Sequence, residues 1–417
     1  MTAAGAAAAL LAPAPATASP AIRYGIKDDA WLMYGPGTLA QRLRALKKTG
    51  VQVVRFGLRW DRIATWRPKK PRDPDDPAYA WDGYDRVLRG LRAQHIEAIV
   101  GIWGTPLWAN RGRGPEYAPT SGRRFAEFAE AAARRYPWVR RWLIWNEPNQ
   151  LRWLRPTSAA TYVRKLLDPA YAAIHRVDRH ALVGGGVSAP RGGRGGVSPV
   201  AWISGLKKAH AKLDAYAHNP YPLAPRRETP LEGGCTRCAT LTMATLPRLL
   251  RLVRRSFGPV RVWLTEYGYQ TRPPERFLGV SPAQQSRYLG QAAMRAYLAP
   301  RVDVLIHFLY RDEPDGGGFQ SGLRWASNRP KPALRAFELP LAERARRGSH
   351  VALWGQVRLP GVRGYRLQVH SRGHWRNLTR TRRASKRGYF TWQGRLARGR
   401  LVRVVADRVA SPPLRLG

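Results

Sequence analysis

Eight short apolar runs alternate with amphipathic stretches between Arg23 and Phe337, and this alternation constrains the fold more than any other feature. The runs predict strands at Tyr24–Ile26, Val51–Gly57, Glu97–Ile102, Trp142–Asn146, Ala181–Gly185, Ala215–His218, Val262–Glu266 and Val304–Tyr310. Helices are predicted between them, for example at Thr38–Lys48, Tyr84–Gln94, Arg123–Tyr136, Ser158–His175, Leu241–Arg255 and Pro282–Leu298. Strands separated by helices pair in parallel, and eight such repeats close naturally into a barrel. The pattern therefore predicts an α/β chain with a (β/α)8 (TIM) barrel.

An open, doubly wound sheet is the alternative architecture for such an alternation. That fold usually carries a glycine-rich phosphate loop after its first strand, and no such loop follows Ile26. The run Gly184-Gly-Gly186 follows the predicted fifth strand, where it indicates a closely packed turn. The barrel is therefore the preferred prediction.

The composition changes at Glu343–Gly348, and hydrophobic residues then recur with a period of two. Three runs follow this pattern, with glycines and polar turns between them: Tyr365–Val369, Tyr389–Trp392 and Leu401–Val405. Such runs predict a small antiparallel, all-β domain that resembles a sandwich. We therefore expect a leader at 1–20, the barrel at 21–342 and the β domain at 349–417.

The N-terminal segment and the cysteines both bear on the cellular compartment. Residues 1–20 are uncharged and rich in alanine, and Ala16-Thr-Ala18 resembles a signal-peptide cleavage site. The basic start of a signal peptide is missing, so a disordered Ala/Pro leader is the alternative. Cys235 and Cys238 are the only cysteines, and two thiols cannot complete a four-ligand zinc site. We expect a local disulfide in a secreted, extracellular protein.

The chain is strongly basic, with 72 Lys and Arg against 27 Asp and Glu and a formal net charge of +45. Such a charge attracts phosphates and acidic glycans, so nucleic-acid binding has to be considered. The basic residues are spread along the whole chain, however, and form no long basic arm or recognisable nucleic-acid module. A generally basic surface is the simpler interpretation. No apolar stretch reaches the roughly 20 residues that a membrane span needs.

Two glutamates stand out in a chain that is poor in acidic residues. Glu147 follows the predicted fourth strand, and Glu266 ends the seventh. A single glutamate in such a place can simply complement a helix dipole. Strands four and seven lie across a barrel mouth, so these two carboxylates can converge where barrel enzymes carry their chemistry. Cleavage of a glycosidic bond requires such a pair, with one carboxyl group protonated and the other ionised.

The segments around these glutamates resemble the signatures of the clan A glycoside hydrolases, which are retaining (β/α)8 enzymes, and are most similar to families 5 and 39. Trp145-Asn-Glu-Pro-Asn149 matches the strand-four signature, and Leu264-Thr-Glu-Tyr-Gly268 matches the strand-seven signature. The resemblance extends over most of the predicted barrel. It implies that Glu147 is the acid/base, that Asn146 binds the sugar 2-hydroxyl, and that Glu266 is the nucleophile.

Two further segments resemble parts of the same site. Arg55 lies in an apolar run similar to the clan's second strand, where an arginine lies beneath the nucleophile and keeps it ionised. His218 and Tyr221 lie in a stretch similar to the sixth-strand segment that lines the substrate subsite. We expect His218 to orient a carboxylate and Tyr221 to donate to the nucleophile. The alternatives are a surface arginine, a core histidine and a packing tyrosine.

Aromatic residues near other strand ends are further candidates for substrate binding. Trp103 and Trp108 follow the third strand and are suited to stacking on sugar faces, with packing at the barrel mouth as the alternative. The eighth strand departs from the clan's pattern, which ends with a tryptophan beneath the sugar. Tyr310 is the predicted substitute at this position.

The sequence therefore predicts a secreted retaining glycoside hydrolase that cleaves a poly- or oligosaccharide with two glutamates and needs no metal or cofactor. Its expected partner is a carbohydrate substrate, with an acidic cell-surface polymer as a second candidate. The first alternative is a non-catalytic binder of acidic glycans or cell-wall polymer on a barrel scaffold. The second is a nucleic-acid-binding protein. Nothing in the sequence indicates a specific nucleic acid, a membrane span or a particular oligomeric state.

Overall fold

The structure is a computed structural model that describes residues 18–314 and 318–417. Eight parallel strands close into a barrel in the order of the sequence. They are β1 (Arg23–Lys27), β2 (Val53–Arg59), β3 (Glu97–Trp103), β4 (Arg141–Ile144), β5 (Leu182–Ser188), β6 (Ala215–His218), β7 (Arg261–Tyr267) and β8 (Val302–Phe308). The predicted (β/α)8 fold class is confirmed.

Helices surround the barrel and connect successive strands. They are α1 (Asp29–Tyr34), α2 (Leu39–Lys48), α3 (Trp60–Ile63), α4 (Asp82–Ala93), α5 (Gly122–Arg135), α6 (Ala159–Tyr162), α7 (Asp168–Val177), α8 (Pro199–Lys208), α9 (Leu246–Phe257), α10 (Pro282–Leu298) and α11 (Pro332–Glu338). Thr38 and Ser281 cap α2 and α10 in capping boxes, with Gln41 and Gln284 as the reciprocal partners. Local capping chemistry thus determines where these helices begin.

Two apolar layers stabilise the barrel. The inner layer fills the barrel itself with side chains such as Val53, Ile99, Leu143, Trp263 and Ile306. The outer layer lies between the strands and the buried faces of the helices. Because side chains fill the interior, a binding site can lie only at an end of the barrel, and in such barrels it lies at the carboxyl ends of the strands.

The glycine run lies inside β5, so the prediction of a turn after Gly185 is wrong. A Cβ atom on Gly184 would lie 2.6 Å from the Trp263 ring. Gly186 has a φ of +83°, and a Cβ atom there would lie 2.5 Å from the Tyr216 ring. These positions therefore require glycine, and the expected close packing is confirmed.

The C-terminal part consists of antiparallel strands in two sheets. The first sheet has the order β14-β10-β9, from β9 (Leu341–Arg347), β10 (His350–Gln356) and β14 (Tyr389–Arg395). The second has the order β12-β11-β15-β16, from β11 (Gly364–Ser371), β12 (His374–Asn377), β15 (Leu401–Ala406) and β16 (Val409–Ala410). Two short strands, β13 (Arg382–Arg383) and β17 (Leu414–Arg415), pair with β11 and β15 respectively. Leu353, Leu367, Val402 and Val404 lie in their common core, which confirms the expected all-β region.

The β domain contacts the barrel directly. Only two residues separate α11 from β9. The Trp354 ring of β10 contacts Tyr297 of α10, with 5.5 Å between ring centroids, and belongs to the apolar cluster of the barrel. The buried Arg358 guanidinium lies 3.7 Å from the centroid of the Tyr24 ring. Aromatic and cation–π contacts therefore join the two parts.

The predictions about the cysteines, the leader and a membrane span have different outcomes. The disulfide between Cys235 and Cys238 is confirmed and lies between β6 and α9. Residues 1–17 lie outside the described part of the chain, and so does most of the predicted leader. Within the described ranges, no helix combines the length and apolar character that a membrane span requires.

Candidate active site

Arg55 connects the ends of three strands at the barrel mouth. It lies among apolar residues of β2, and its side chain is almost completely buried. Its Nη1 donates to Glu266 Oε1 at 2.7 Å, and its Nη2 donates to Asn146 Oδ1 at 2.7 Å. The guanidinium therefore compensates the charge of the Glu266 carboxylate and orients the Asn146 amide. The structure brings these three predicted residues together.

The Glu266 carboxylate at the end of β7 receives a second donor from the β6 side of the mouth. The Tyr221 hydroxyl donates to Glu266 Oε2 at 3.1 Å. Burial, together with the negative charge of Glu266, raises the pKa of Tyr221 well above its usual value. Tyr221 therefore keeps its proton, and both oxygens of the carboxylate have a donor.

Glu147 lies in a tight turn after β4, which ends at Ile144. Trp145 and Glu147 both have left-handed backbone conformations, with φ values of 70° and 39°. Residues other than glycine rarely adopt such values, and this kind of strain concentrates at functional sites. The Trp145 indole donates to the Trp153 carbonyl oxygen, and the Tyr162 hydroxyl donates to the Ile144 carbonyl oxygen, each at 2.7 Å. These buried hydrogen bonds stabilise the turn.

The Glu147 carboxyl group is placed to hold a proton near neutral pH. Asn219 Nδ2 donates to its Oε1 at 2.9 Å, and the Trp153 indole lies near the same carboxyl group. Removal from water has the largest effect on its pKa, and the negative charge of Glu266 acts in the same direction. Together they raise the pKa of Glu147 to about 7.

The two carboxyl groups therefore differ in their surroundings and can divide acid and base functions between them. Glu147 has the raised pKa, whereas Glu266 accepts hydrogen bonds from both Arg55 and Tyr221. One mouth thus holds a carboxyl group with a raised pKa and a second carboxyl group that is bound by an arginine and a tyrosine hydroxyl. Across residues 18–314 and 318–417, no group of three or more His, Cys, Asp or Glu is arranged to hold a metal ion.

His218 does not orient a carboxylate, so this prediction is wrong. The residue is fully buried, and its ring nitrogens contact the Ser188 hydroxyl and the Leu241 carbonyl oxygen, each at 2.9 Å. Burial lowers the pKa of His218 to about 4, which leaves the ring neutral. Asn219, which the sequence reasoning missed, contacts Glu147 instead. The Thr265 hydroxyl holds Asn219 by donating to its Oδ1 at 2.8 Å.

The two candidate tryptophans after β3 have different positions. The Arg59 guanidinium covers one face of the Trp103 ring at 4.1 Å, and Trp153 meets the same ring edge-on at 5.3 Å. Trp103 therefore supports Trp153, the second residue that the sequence reasoning missed. The Trp108 ring packs edge-on against buried Trp60 at 5.7 Å, and its indole donates to a backbone carbonyl. Trp108 is thus placed in packing contacts.

Tyr310 does not lie at the site, and this prediction is corrected. Strand β8 ends at Phe308, and buried Tyr310 contacts Trp31, with 4.2 Å between the ring centroids. The ring that contacts Tyr221 from this strand is Phe308, with 6.4 Å between centroids. Phe319 contacts both Phe308 and Tyr221, at 5.1 and 6.5 Å. Phe308 is therefore the aromatic residue of β8 that is next to the site.

Replacing Arg55 by methionine is expected to lower the free energy of unfolding by about 3–5 kcal/mol, because it leaves a buried carboxylate without its partner. Arg55→Lys keeps the charge and is expected to cost less. Urea unfolding of the two variants and the parent measures the difference. If Arg55→Met lowers the free energy of unfolding by less than about 1 kcal/mol, the effect is that of removing an exposed ion pair. This result would contradict the buried position of the Arg55–Glu266 pair.

At the level of sequence, no protein-family model matches the chain, and no curated protein matches it. The structure, in contrast, is similar to many solved structures. The relation to known proteins is therefore visible in the fold and in short motifs, and not in overall sequence.

Three solved structures illustrate this similarity. A family 39 glycoside hydrolase from Bacteroides cellulosilyticus WH2 is 16% identical, with a TM-score of 0.60 over 92% of this chain and 81% of that chain. A monomeric β-xylosidase from Caulobacter crescentus CB15 is 16% identical, with a TM-score of 0.57 over 94% and 96%. A glucosidase from Croceicoccus marinus is 14% identical, with a TM-score of 0.60 over 94% and 96%. The chain thus has the fold of solved clan A glycoside hydrolases, family 39 among them, as the resemblance in its motifs implied.

Proposed function

We propose that this chain is a retaining glycoside hydrolase that cleaves O-glycosidic bonds of a poly- or oligosaccharide. The observation that carries the proposal is the pair of glutamates at the ends of β4 and β7. Glu147 has a pKa raised to about 7, and Glu266 is bound by a buried arginine and a tyrosine hydroxyl. The fold shared with solved glycosidases supports the same assignment.

In the first step, Glu147 donates its proton to the glycosidic oxygen while an oxygen of Glu266 attacks the anomeric carbon. The bond between that carbon and the glycosidic oxygen breaks, and the leaving sugar departs as an alcohol. Glu266 is then bonded covalently to the remaining sugar. Arg55 and Tyr221 hold the attacking carboxylate, and Arg55 also orients Asn146 toward its proposed contact with the sugar 2-hydroxyl.

In the second step, Glu147 is a carboxylate and removes a proton from a water molecule. The water oxygen attacks the anomeric carbon, and Glu266 leaves as a free carboxylate. Each step inverts the anomeric carbon, so the product retains the configuration of the substrate. Asn219 keeps the Glu147 carboxyl group oriented in both steps.

Four exposed aromatic rings in segments that follow barrel strands are evidence for a substrate longer than one sugar. Tyr34, Trp66, Phe277 and Phe319 are 81%, 78%, 83% and 43% exposed, and we call them the aromatic rim. They follow β1, β2, β7 and β8, which are neighbours in the closed barrel. Every large hydrophobic side chain that is exposed in the described ranges follows a barrel strand, in the chain segment that leaves the carboxyl end of that strand.

The position of the rim favours a substrate that extends beyond the sugar at the glutamates. Exposed apolar groups that cluster on one face mark an interaction surface. Phe319 connects the rim to the site, because it contacts Tyr221, which in turn donates to Glu266. Aromatic faces stack on the C–H faces of sugars, so the rim is suited to the further units of an oligo- or polysaccharide.

The experiment that tests the proposal is a screen of the purified chain against aryl glycosides and polysaccharides. Glu266→Ala is assayed alongside, together with Glu130→Gln. Glu130 is a matched control, since it is also a buried glutamate bound by arginines but lies on α5. Sugar release by the parent and by Glu130→Gln, but not by Glu266→Ala, is the expected result. Glycan binding without sugar release would replace the proposal by the non-catalytic binder.

The rate is expected to fall as the pH rises through about 7. Glu147 must carry a proton in the first step, and this proton is present below its raised pKa and absent above it. A profile of kcat/KM from pH 4 to 9 on an aryl glycoside measures the alkaline limb. Glu147→Gln is expected to lose this limb on a substrate with an activated leaving group. A parent profile that stays flat up to pH 9 would contradict the role of Glu147.

We also propose that the chain is exported, with a leader at 1–20, a catalytic domain at 21–342 and a β domain at 349–417. The disulfide between Cys235 and Cys238 supports export, because disulfides persist in oxidising compartments. The first antiparallel strand, β9, begins at Leu341, so the C-terminal sheets begin shortly before the proposed start of the β domain at residue 349. Mass spectrometry of the protein recovered from the culture medium tests whether the leader is removed, and whether the cut lies near Ala16-Thr-Ala18.

A further inference from the structure

One side of the second C-terminal sheet faces away from its core. Alternate residues of a strand point to opposite faces, and Leu367 and Val402 point into the core. The alternate residues of β11 therefore point outward, namely Arg366, Gln368 and His370. Trp375 of β12 lies opposite His370, and Arg403 of β15 lies opposite Gln368, so these two side chains also point outward. We call these five residues the outer face. Between Arg366 and His370 it extends for about 14 Å, at 3.4 Å per residue.

A tryptophan ring is held in place on this face. The Arg403 guanidinium lies 4.2 Å from the centroid of the Trp375 ring, and the His370 ring contacts it at 5.2 Å. Arg403 Nε donates to Gln368 Oε1 at 2.8 Å, which fixes the guanidinium over the ring. The other two tryptophans of the β domain are buried, and Trp375 is the more accessible ring. The pair of Trp375 and Arg403 therefore combines an aromatic ring with a planar cation.

A cavity of about 410 Å³ adjoins this face between β11, β13 and β15. Arg363, Arg366 and Thr381 line it, together with Tyr365 and Asp407. Two arginines thus border the cavity at one end of the outer face, and Arg403 lies toward the other end. The cavity and the Trp375 ring together form one surface, along which the arginine side chains can donate hydrogen bonds.

The β domain is more basic than the rest of the chain. Residues 341–417 contain 19 Arg or Lys residues but only two acidic residues, Glu343 and Asp407. Glu343 is already paired with Arg346 at 2.8 Å. Asp407 lines the cavity together with Arg363 and Arg366, so one carboxylate there stands against two arginines. The outer face therefore has a positive potential that favours an anionic polymer.

We infer that the outer face binds a polysaccharide that carries carboxylate groups. Arginine guanidinium groups match carboxylates in bidentate geometry, and Trp375 offers a ring for a sugar face. The choice of a polysaccharide over a nucleic acid rests on the proposed glycosidase function of the barrel. The surface is separate from the two glutamates and would anchor the enzyme on a polymer.

Binding of polygalacturonate to the full chain tests this inference. Glu266→Gln is used as the parent so that the polymer is not cleaved, and binding is measured by calorimetry at low and high salt. Adding Arg366→Gln and Arg403→Gln is expected to weaken binding by about tenfold or more, since two cationic contacts are lost. Adding Trp375→Ala is expected to weaken it as well, and Trp375→Phe to restore part of the loss.

The matched control adds Arg44→Gln and Arg86→Gln, which remove the same charge from exposed positions on α2 and α4. This variant is expected to bind polygalacturonate as the parent does. Three results would each overturn the inference. They are equal weakening of polygalacturonate binding in both double variants, no binding of polygalacturonate by the parent, and tighter binding of duplex DNA than of polygalacturonate at the outer face. Turnover of small aryl glycosides by the chain with intact Glu266 is measured separately, so that failure of the proposed reaction is distinguished from failure of the anchor.

Discussion

The Glu266→Ala variant is expected to turn over its substrate roughly 10⁵-fold more slowly than the parent, the scale of loss when a covalent nucleophile is removed. Without this carboxylate no bond to the anomeric carbon can form, and Arg55 keeps its charge without its partner. The measurement is kcat on the best substrate of the panel. The Glu130→Gln control, which also disturbs a buried glutamate bound by arginines, is expected to keep kcat within a few-fold of the parent.

Added azide gives this prediction a second readout. Azide can enter the space left by the Glu266 side chain and attack the anomeric carbon, while the leaving oxygen takes the proton of Glu147. The product is then a glycosyl azide of inverted configuration, which NMR identifies. A kcat within tenfold of the parent, or no azide product from a folded variant, would contradict the assignment of Glu266 as the nucleophile.

The Glu147→Ala variant is expected to lose about 10³-fold in kcat/KM on substrates with poor leaving groups, because general acid catalysis contributes about 10²–10⁴-fold. On a dinitrophenyl glycoside the loss is expected to be less than about tenfold, since this leaving group needs little protonation. The ratio of kcat/KM between an alkyl and a dinitrophenyl glycoside measures the difference.

Asn219→Ala is the matched control for this test, because it removes a hydrogen bond to Glu147 but leaves the carboxyl group in place. The losses of kcat/KM in Asn219→Ala are expected to be smaller than those in Glu147→Ala. The loss is again expected to be larger on the alkyl glycoside than on the dinitrophenyl glycoside. Equal losses of Glu147→Ala on both leaving groups would show that Glu147 does not act as the acid. The assignment of the two glutamates would then have to be changed.

The sequence predicted the order and type of the barrel elements because their periodicity is strong, but some strand ends differ. The eighth apolar run continues to Tyr310, whereas β8 ends at Phe308. Leu309 and Tyr310 are apolar because they are buried outside the sheet, where Tyr310 contacts Trp31. Hydrophobicity reports burial, and it does not distinguish a strand from the buried segment that follows it.

Within the site, the residues that match motifs at strand ends were predicted, and one of their neighbours was not. Arg55, Asn146, Glu266 and Tyr221 are brought together as expected. Adjacent residues of an extended chain point in opposite directions, so only one member of a neighbouring pair can point toward the carboxylates. The sequence could not show that this member is Asn219 and not His218, because the direction of each side chain at the end of β6 depends on the backbone there.

The short connection between α11 and β9 has a consequence for an enzyme that is anchored on a polymer. With two connecting residues and the Trp354 and Arg358 contacts, the β domain is held against the barrel without a flexible linker. For a polymer on the outer face, the effective concentration of glycosidic bonds at the glutamates is then set by this fixed geometry instead of by linker length. If the outer face anchors a polymer, we therefore expect cleavage to favour bonds at a preferred distance from the anchored segment.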